Sequence, residues 1–336
     1  VRALSPAEAA RIAGEAEDVV APLLAPHLVG LDDDRRLMEA SGARLVFLGD
    51  AEYPRLVREI TDPPPLLFAR GRPFPDAPAV ALVGARRASR AGLEAARHLA
   101  RGLAEAGVSV VSGFARGVDA AAHSAALDAG GPTVAVFGCG IDVCYPAEQR
   151  ALLERLLADG TALSEFPPGD GPEPWHFPVR NRIIAGLVRI VCVVEAAEKS
   201  GSLITARCAA GYGRDVAAVP GSILAPGSTG SNALLKDGAI LVRSADDLLA
   251  ELPEEDRARL NRAVAARTVA SRPDLPPDAA ALLGALDPDE PREADVLLPA
   301  AGLDAARFSA ALLHLELEGL AVALPGALFV RTRERG

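Results

Sequence analysis

From Ala79 onward the chain repeats one pattern: a short apolar run, a turn, and in most cases a segment long enough for a helix. The runs cover 79–83, 109–111, 133–137, 162–166, 190–195, 216–219 and 240–242. Strands that are apolar at nearly every position and separated by helices belong to a parallel sheet covered on both faces. Right-handed crossovers then place the strand-to-helix loops at the carboxyl edge, where doubly wound folds bind ligands. The expected class is α/β, with a doubly wound, mostly parallel sheet.

Two differently patterned regions flank this core. Residues 1–50 read as a small helical N-terminal domain, with Ser5, Pro6 and Glu8 supplying a cap, a first-turn proline and an early acid. A triple proline, Pro63 to Pro65, precedes an apolar run ending at Gly71, which reads as an ordered connector with an edge strand. The sheet domain with this connector spans 51–251. Charge, prolines and weak periodicity mark 252–277 as a linker. Beyond it, 278–336 offers helices over 279–286, 294–300 and 305–318 and a hairpin over 321–330 turning at Pro325 and Gly326, the outline of a winged helix.

Charge narrows the possible partners. Thirty-five basic residues against 45 acidic ones give a net charge of −10, so any site for a polyanion must be a local patch. Only Lys199 and Lys236 are lysines, which makes a phosphate grip here a matter of guanidinium forks. No apolar run approaches about eighteen residues, and the first twenty residues lack a basic segment followed by an apolar one, so a cytoplasmic protein without membrane insertion is expected. Cys139, Cys144, Cys192 and Cys208 fit no zinc-ligand spacing and read as buried reduced thiols. The sequence asks for no cofactor and no metal.

Four loops carry the chemistry. After the first strand, GARRASRAG puts Gly84, Arg86, Arg87 and Ser89 at a glycine turn entering a helix, where backbone N–H groups and arginines can hold an anion. The second loop, SGFARGVDAAAH, presents Ser112 and Gly113; its Asp119 and His123 lie four apart, which suits an i,i+4 brace of the turn better than a catalytic pair. In the third, the single tryptophan Trp175, His176 and Phe177 directly precede Arg180, Asn181 and Arg182. Aromatics interleaved with arginines can stack bases while gripping phosphates, although Trp175 equally suits a hydrophobic staple. The fourth, EAAEKSGSLITA, gathers Lys199, Ser200, Gly201, Ser202 and Thr205 at a strand-to-helix corner without the spacing of an ATPase phosphate loop. Between Gly84 and Arg116 six arginines face only Glu94 and Glu105, a concentration of positive charge in an acidic chain.

Together these segments resemble the DprA/Smf family of DNA-processing proteins. The matching pieces are ITDPPPLLFARG, VGARRAS, SGFARGVDAAAH, GCGIDVCYP, SEFPPG, FPVRNRIIAGL, VVEAAEKSGSLITA and GSTGSNALLKDGA, in order over roughly 53–249. The resemblance implies an extended Rossmann-like domain that binds single-stranded DNA, forms a homodimer and loads the RecA recombinase during natural transformation. It places the phosphate-binding arginine at Arg86 and the base-stacking aromatic at Phe177. Where some relatives carry a lysine three positions earlier, this chain has Pro174. The same resemblance puts the dimer and RecA surface around Asn232, Leu234, Leu235 and Leu241.

Two other functions compete. A nucleoside-phosphate hydrolase of a related Rossmann-like family needs a PGG-x-GT loop and a following glutamate, and PGSILAPGSTGSN lacks that arrangement. A duplex-reading regulator needs a basic recognition helix, yet 278–336 holds five arginines against ten acids. A non-enzymatic single-strand binder is the expected function.

Overall fold

All seven apolar runs become strands of one nine-stranded sheet. The computed structural model describes residues 31–260, 275–288 and 290–332. The capped helix expected near Ser5 and the linker residues 261–274 lie outside them. In chain order the first unit contains α1 (Leu31–Ser41), β1 (Arg44–Phe47), α2 (Arg55–Arg58), β2 (Leu66–Gly71), β3 (Ala79–Val83), α3 (Arg90–Glu105), β4 (Ser109–Ser112) and α4 (Val118–Asp128). It continues with β5 (Thr133–Phe137), α5 (Arg150–Asp159), β6 (Thr161–Ser164), α6 (His176–Gly186), β7 (Ile190–Val193), α7 (Ser202–Gly211), β8 (Asp215–Ala218), α8 (Thr229–Lys236), β9 (Ile240–Leu241) and α9 (Ala245–Ala250).

The strand order is β1-β2-β6-β5-β4-β3-β7-β8-β9. Six parallel pairings join β6 through to β9, and β2 pairs antiparallel with both β6 and β1. Winding runs outward from β3 in both directions, so the sheet is Rossmann-like with its topological switch between β3 and β7. Strand alternation feeds two cores. Ala79, Ala81 and Val83 pack with Ile183, Ile184 and Ala206 of α6 and α7. Val80 and Leu82 pack on the opposite face with Leu99 and Leu103 of α3 and Ala122 of α4. A buried leucine or valine contributes roughly 1.5–3 kcal/mol, which is why strands buried on both faces read as unbroken apolar runs.

Two boundaries differ from the sequence reading. Residues 44–47, assigned to a helical N-terminal domain ending at 50, form β1, the edge of the main sheet. The apolar run after the triple proline is not an edge strand, because β1 covers it on one side and β6 on the other. Both errors have one cause: antiparallel additions from upstream sequence carry no βα spacing to announce them. The cysteines also divide, Cys139 and Cys192 being buried and Cys144 and Cys208 half-buried.

The chain splits into two compact units at Val264; of the stretch read as a linker, 254–260 is helical instead, and Leu252 and Leu260 pack in the first unit's core. The second unit contains α10 (Pro277–Ala285), β10 (Arg292–Glu293), α11 (Ala294–Ala301), α12 (Ala305–Leu317), β11 (Ala321–Leu324) and β12 (Leu328–Arg331). Its three strands lie in the order β10-β12-β11, and Leu282, Leu297, Phe308 and Leu315 form its core. These elements make a winged helix. Asp304 caps α12 by accepting from the backbone N–H groups of Ala306 and Arg307 at 3.0 and 2.9 Å. We expect Asp304→Ala to lower the opening free energy of α12 by about 1 kcal/mol, measured by amide hydrogen exchange, while protection in β3 stays unchanged.

Candidate nucleic-acid interface

The turn after β3 and the turn after β7 diverge at the switch point, and α6 lies across the gap. This leaves a cleft of about 450 Å³. Its walls are interlocked through backbone and buried side chains. The Ala85 N–H donates to the Glu195 carbonyl at 2.7 Å, and the Glu195 carboxylate accepts from both the backbone N–H and the hydroxyl of Ser89. Gly117, at φ +76°, closes the second turn against the first; a Cβ there would lie 2.2 Å from the Ala85 carbonyl oxygen.

Arg180 is buried beneath the cleft floor. Its guanidinium donates to the carbonyls of Gly113 (2.6 Å) and Val136, while its Nε donates to Asn181 Oδ1 at 3.2 Å. It therefore ties α6 to the carboxyl ends of β4 and β5. Burial lowers its pKa to about 10, partly offset by the nearby Asp119 carboxylate. Asp119 is buried too and accepts from the N–H groups of Gly113 (3.1 Å) and Ala115 (3.2 Å). Desolvation raises its pKa, opposed chiefly by Arg180.

Above this layer sits Phe177. The Arg86 guanidinium lies 4.8 Å from the ring centroid and that of Arg180 lies 6.0 Å away. Tyr145 packs at 5.7 Å with tilted planes, and Gly138 leaves room for the ring, since a Cβ there would meet Phe177 Cδ1 at 2.9 Å. Arg86 itself is exposed and has no ion pair among the described residues. An exposed, unpaired guanidinium held over an aromatic face offers a phosphate grip and a stacking surface in one place.

The cleft brings together Gly84, Arg86, Phe177, Arg180, Asn181, Ser200, Gly201, Ser202 and Thr205, with Pro174 on its rim. Within it, Ser200 and Ser202 share a hydroxyl contact of 2.8 Å, Asn181 Nδ2 donates to the Gly201 carbonyl at 3.3 Å, and Thr205 is buried. Arg87 lines a neighbouring groove, and Lys199 is exposed outside the cleft lining.

Several assignments need correction. Arg182 is not a cleft residue: its guanidinium is held by Glu165 and by the carbonyl and carboxylate of Asp62. The Ser89 hydroxyl is committed to Glu195 and to capping α3 through Gly92 N–H, and the buried Ser112 hydroxyl donates to the Leu82 carbonyl at 2.7 Å. Gly113 is buried against Arg180. Asp119 does brace its turn, but not through His123, which bonds Thr133 Oγ1 at 2.8 Å and whose pKa burial lowers to about 3. Trp175 is 61% exposed, its ring steeply inclined to those of Phe166 and His176.

Sequence reasoning missed the roles of Tyr145 and Glu195. Tyr145, one of three tyrosines, stood in the quoted GCGIDVCYP corner, and scarcity was its available signal. Glu195 opens the quoted EAAEKSGSLITA corner without a role of its own, because its partner Ser89 lies over a hundred positions away.

The family model described as DNA recombination-mediator protein A matches residues 44–253. The chain belongs to this family. The DprA winged helix domain matches 266–327. The chain is 48% identical over 200 residues to the DNA processing protein DprA of Streptococcus pneumoniae, covering 59% of this chain and 71% of that protein. It is 44% identical over 208 residues to protein Smf of Synechocystis, covering 60% and 52%. The solved Streptococcus pneumoniae DprA structure superposes with a TM-score of 0.66 at 42% identity, covering 74% of this chain and 87% of that one. A structure describing the single-stranded DNA binding mode of DNA processing protein A from Helicobacter pylori gives 0.55 at 30% identity, covering 61% and 94%.

Within this recombination-mediator family fold, Arg180 and Arg86 have separable duties. Arg180→Ala should destabilise the first unit by about 3 kcal/mol or more, because two strand carbonyls and the Asp119 carboxylate lose their buried partner. Arg86→Ala should stay within about 0.5 kcal/mol of the unchanged protein. Denaturant unfolding followed by Trp175 fluorescence reads both.

Proposed function

We propose that this chain binds single-stranded DNA at the β3–β7 switch-point cleft and acts as a non-enzymatic recombination mediator. The observation that carries the reading is the Arg86–Phe177 pair, an unpaired cation and an aromatic ring 4.8 Å apart at the mouth of the cleft. The likeness to a Helicobacter pylori protein whose structure concerns single-stranded DNA supports it. Gly201, where a Cβ would meet open space, and the short hydroxyl side chains of Ser200 and Ser202 leave room for a backbone at the turn after β7, and Asn181 offers a polar contact beside them. The one carboxylate in the cleft lining, Asp119, already accepts two backbone N–H groups, so we assign the site no acid–base step. Among the described residues no group of three or more His, Cys, Asp or Glu could hold a metal. No single helix among them is long and apolar enough to cross a membrane.

Salt dependence separates the two key residues. Arg86→Ala should weaken binding and reduce the log–log salt slope by about 0.7, the release expected for one single-strand phosphate. Phe177→Ala should cost about 1–3 kcal/mol of affinity and leave the slope nearly unchanged. Because the two side chains touch, the double variant should lose less than the sum. Equal affinity for a duplex of the same length, or equal slope changes in both variants, overturns the reading.

We further propose a homodimer and a RecA-loading surface at the β9 end of the sheet, serving natural transformation in the cytoplasm. Leu241 is 49% exposed, and Leu235 is half-buried. Leu234 packs against the core, and Asn232 is engaged by a reciprocal amide pair with Gly221 at 3.0 Å, so these two shape the surface from within. Leu241→Arg should convert a dimer to a folded monomer, because an unpaired cation in an apolar interface is costly. Light scattering that shows unchanged mass for a folded variant removes this strand end from the interface.

A further inference from the structure

Arg86 borders three neighbouring cavities. Besides the cleft with Phe177, it borders a groove of about 540 Å³ over α3, α4 and α5, lined also by Arg87, Arg97 and Arg155. Four guanidinium groups and no carboxylate line this groove. Arg87 has no ion pair among the described residues. Arg97 pairs with Glu94 at 2.7 Å and Arg155 with Asp128 at 2.6 Å, and all four of those side chains are roughly half or more exposed. Exposed pairs of this kind contribute only about 0–1 kcal/mol, so a phosphate can replace the carboxylate without loosening the fold. The floor is apolar and partly alanine, and Ser124 adds one hydroxyl.

We propose that this groove is the exit track of the bound strand: the phosphates that follow the nucleotide at Phe177 run past Arg86 and are held by Arg87, Arg97 and Arg155. The inference rests on the single-strand reading above. It adds a direction of travel across the helical face formed by α3, α4 and α5. Arginine suits the task, since its planar fork meets phosphate oxygens in bidentate geometry while a flexible strand passes. The groove also explains why positive charge in this acidic chain continues along α3 beyond the glycine turn.

The test compares thymidine oligomers of about 5 and about 20 nucleotides by fluorescence anisotropy on the full chain. A variant combining Arg87→Gln, Arg97→Gln and Arg155→Gln should bind the short oligomer within about twofold of the unchanged protein. It should bind the long one about tenfold or more weakly, with a salt slope smaller by about 2, from three contacts at about 0.7 each. A charge-matched control with Arg101→Gln, Arg207→Gln and Arg257→Gln, all exposed and outside both cavities, should leave both affinities near the unchanged values. Thermal melting checks that each variant is folded. The exit track is overturned if the groove variant keeps its long-oligomer affinity and slope, if it weakens both lengths equally, or if the control matches it. In those cases Arg86→Ala still weakens the short oligomer and the cleft reading stands; if the unchanged protein binds neither length, both readings fall.

Discussion

The buried guanidinium of Arg180 holds the switch point together. Parallel strands end with carbonyls that have no further strand neighbour to accept from, and the carbonyls of Val136 in β5 and of Gly113 just after β4 accept from Arg180 of α6 instead. A cation carrying several N–H donors on one rigid plane satisfies two strand ends at once and balances Asp119, which itself gathers the N–H groups of the next turn. Remove this layer and Phe177 loses one of the two guanidinium groups beside its ring, Arg86 being the other. The exposed chemistry of the cleft thus depends on a charge that is almost wholly buried.

A second staple works from the opposite wall. Glu195 leaves the end of β7, accepts from the Ser89 backbone and hydroxyl, and gives its own carbonyl to Ala85. Gly92 of α3 must be glycine for this, since a Cβ there would lie 2.5 Å from Glu195 Oε2. Glu195 lies outside the cleft lining, and its carboxylate is held by two fixed donors of the turn that carries Arg86.

The parallel core was legible because burial on both faces writes itself into consecutive apolar residues, and the glycine turns marked the carboxyl edge. The winged helix was legible through its helix lengths and turn dipeptide. What could not be read was the state of each cation. Arg86, Arg180 and Arg182 look alike in the sequence, yet one is exposed, one is buried under strand ends and one is held by Asp62 and Glu165. Those fates are set by partners 17 to 120 positions away, beyond the range of any local pattern. The same limit hid β1 and the second antiparallel pairing.

An open sheet has two edges, and the one at β9 is only two residues long. So short an edge presents too few free backbone donors and acceptors to template another strand. A chain docking at this end is therefore offered side-chain shape rather than a strand template.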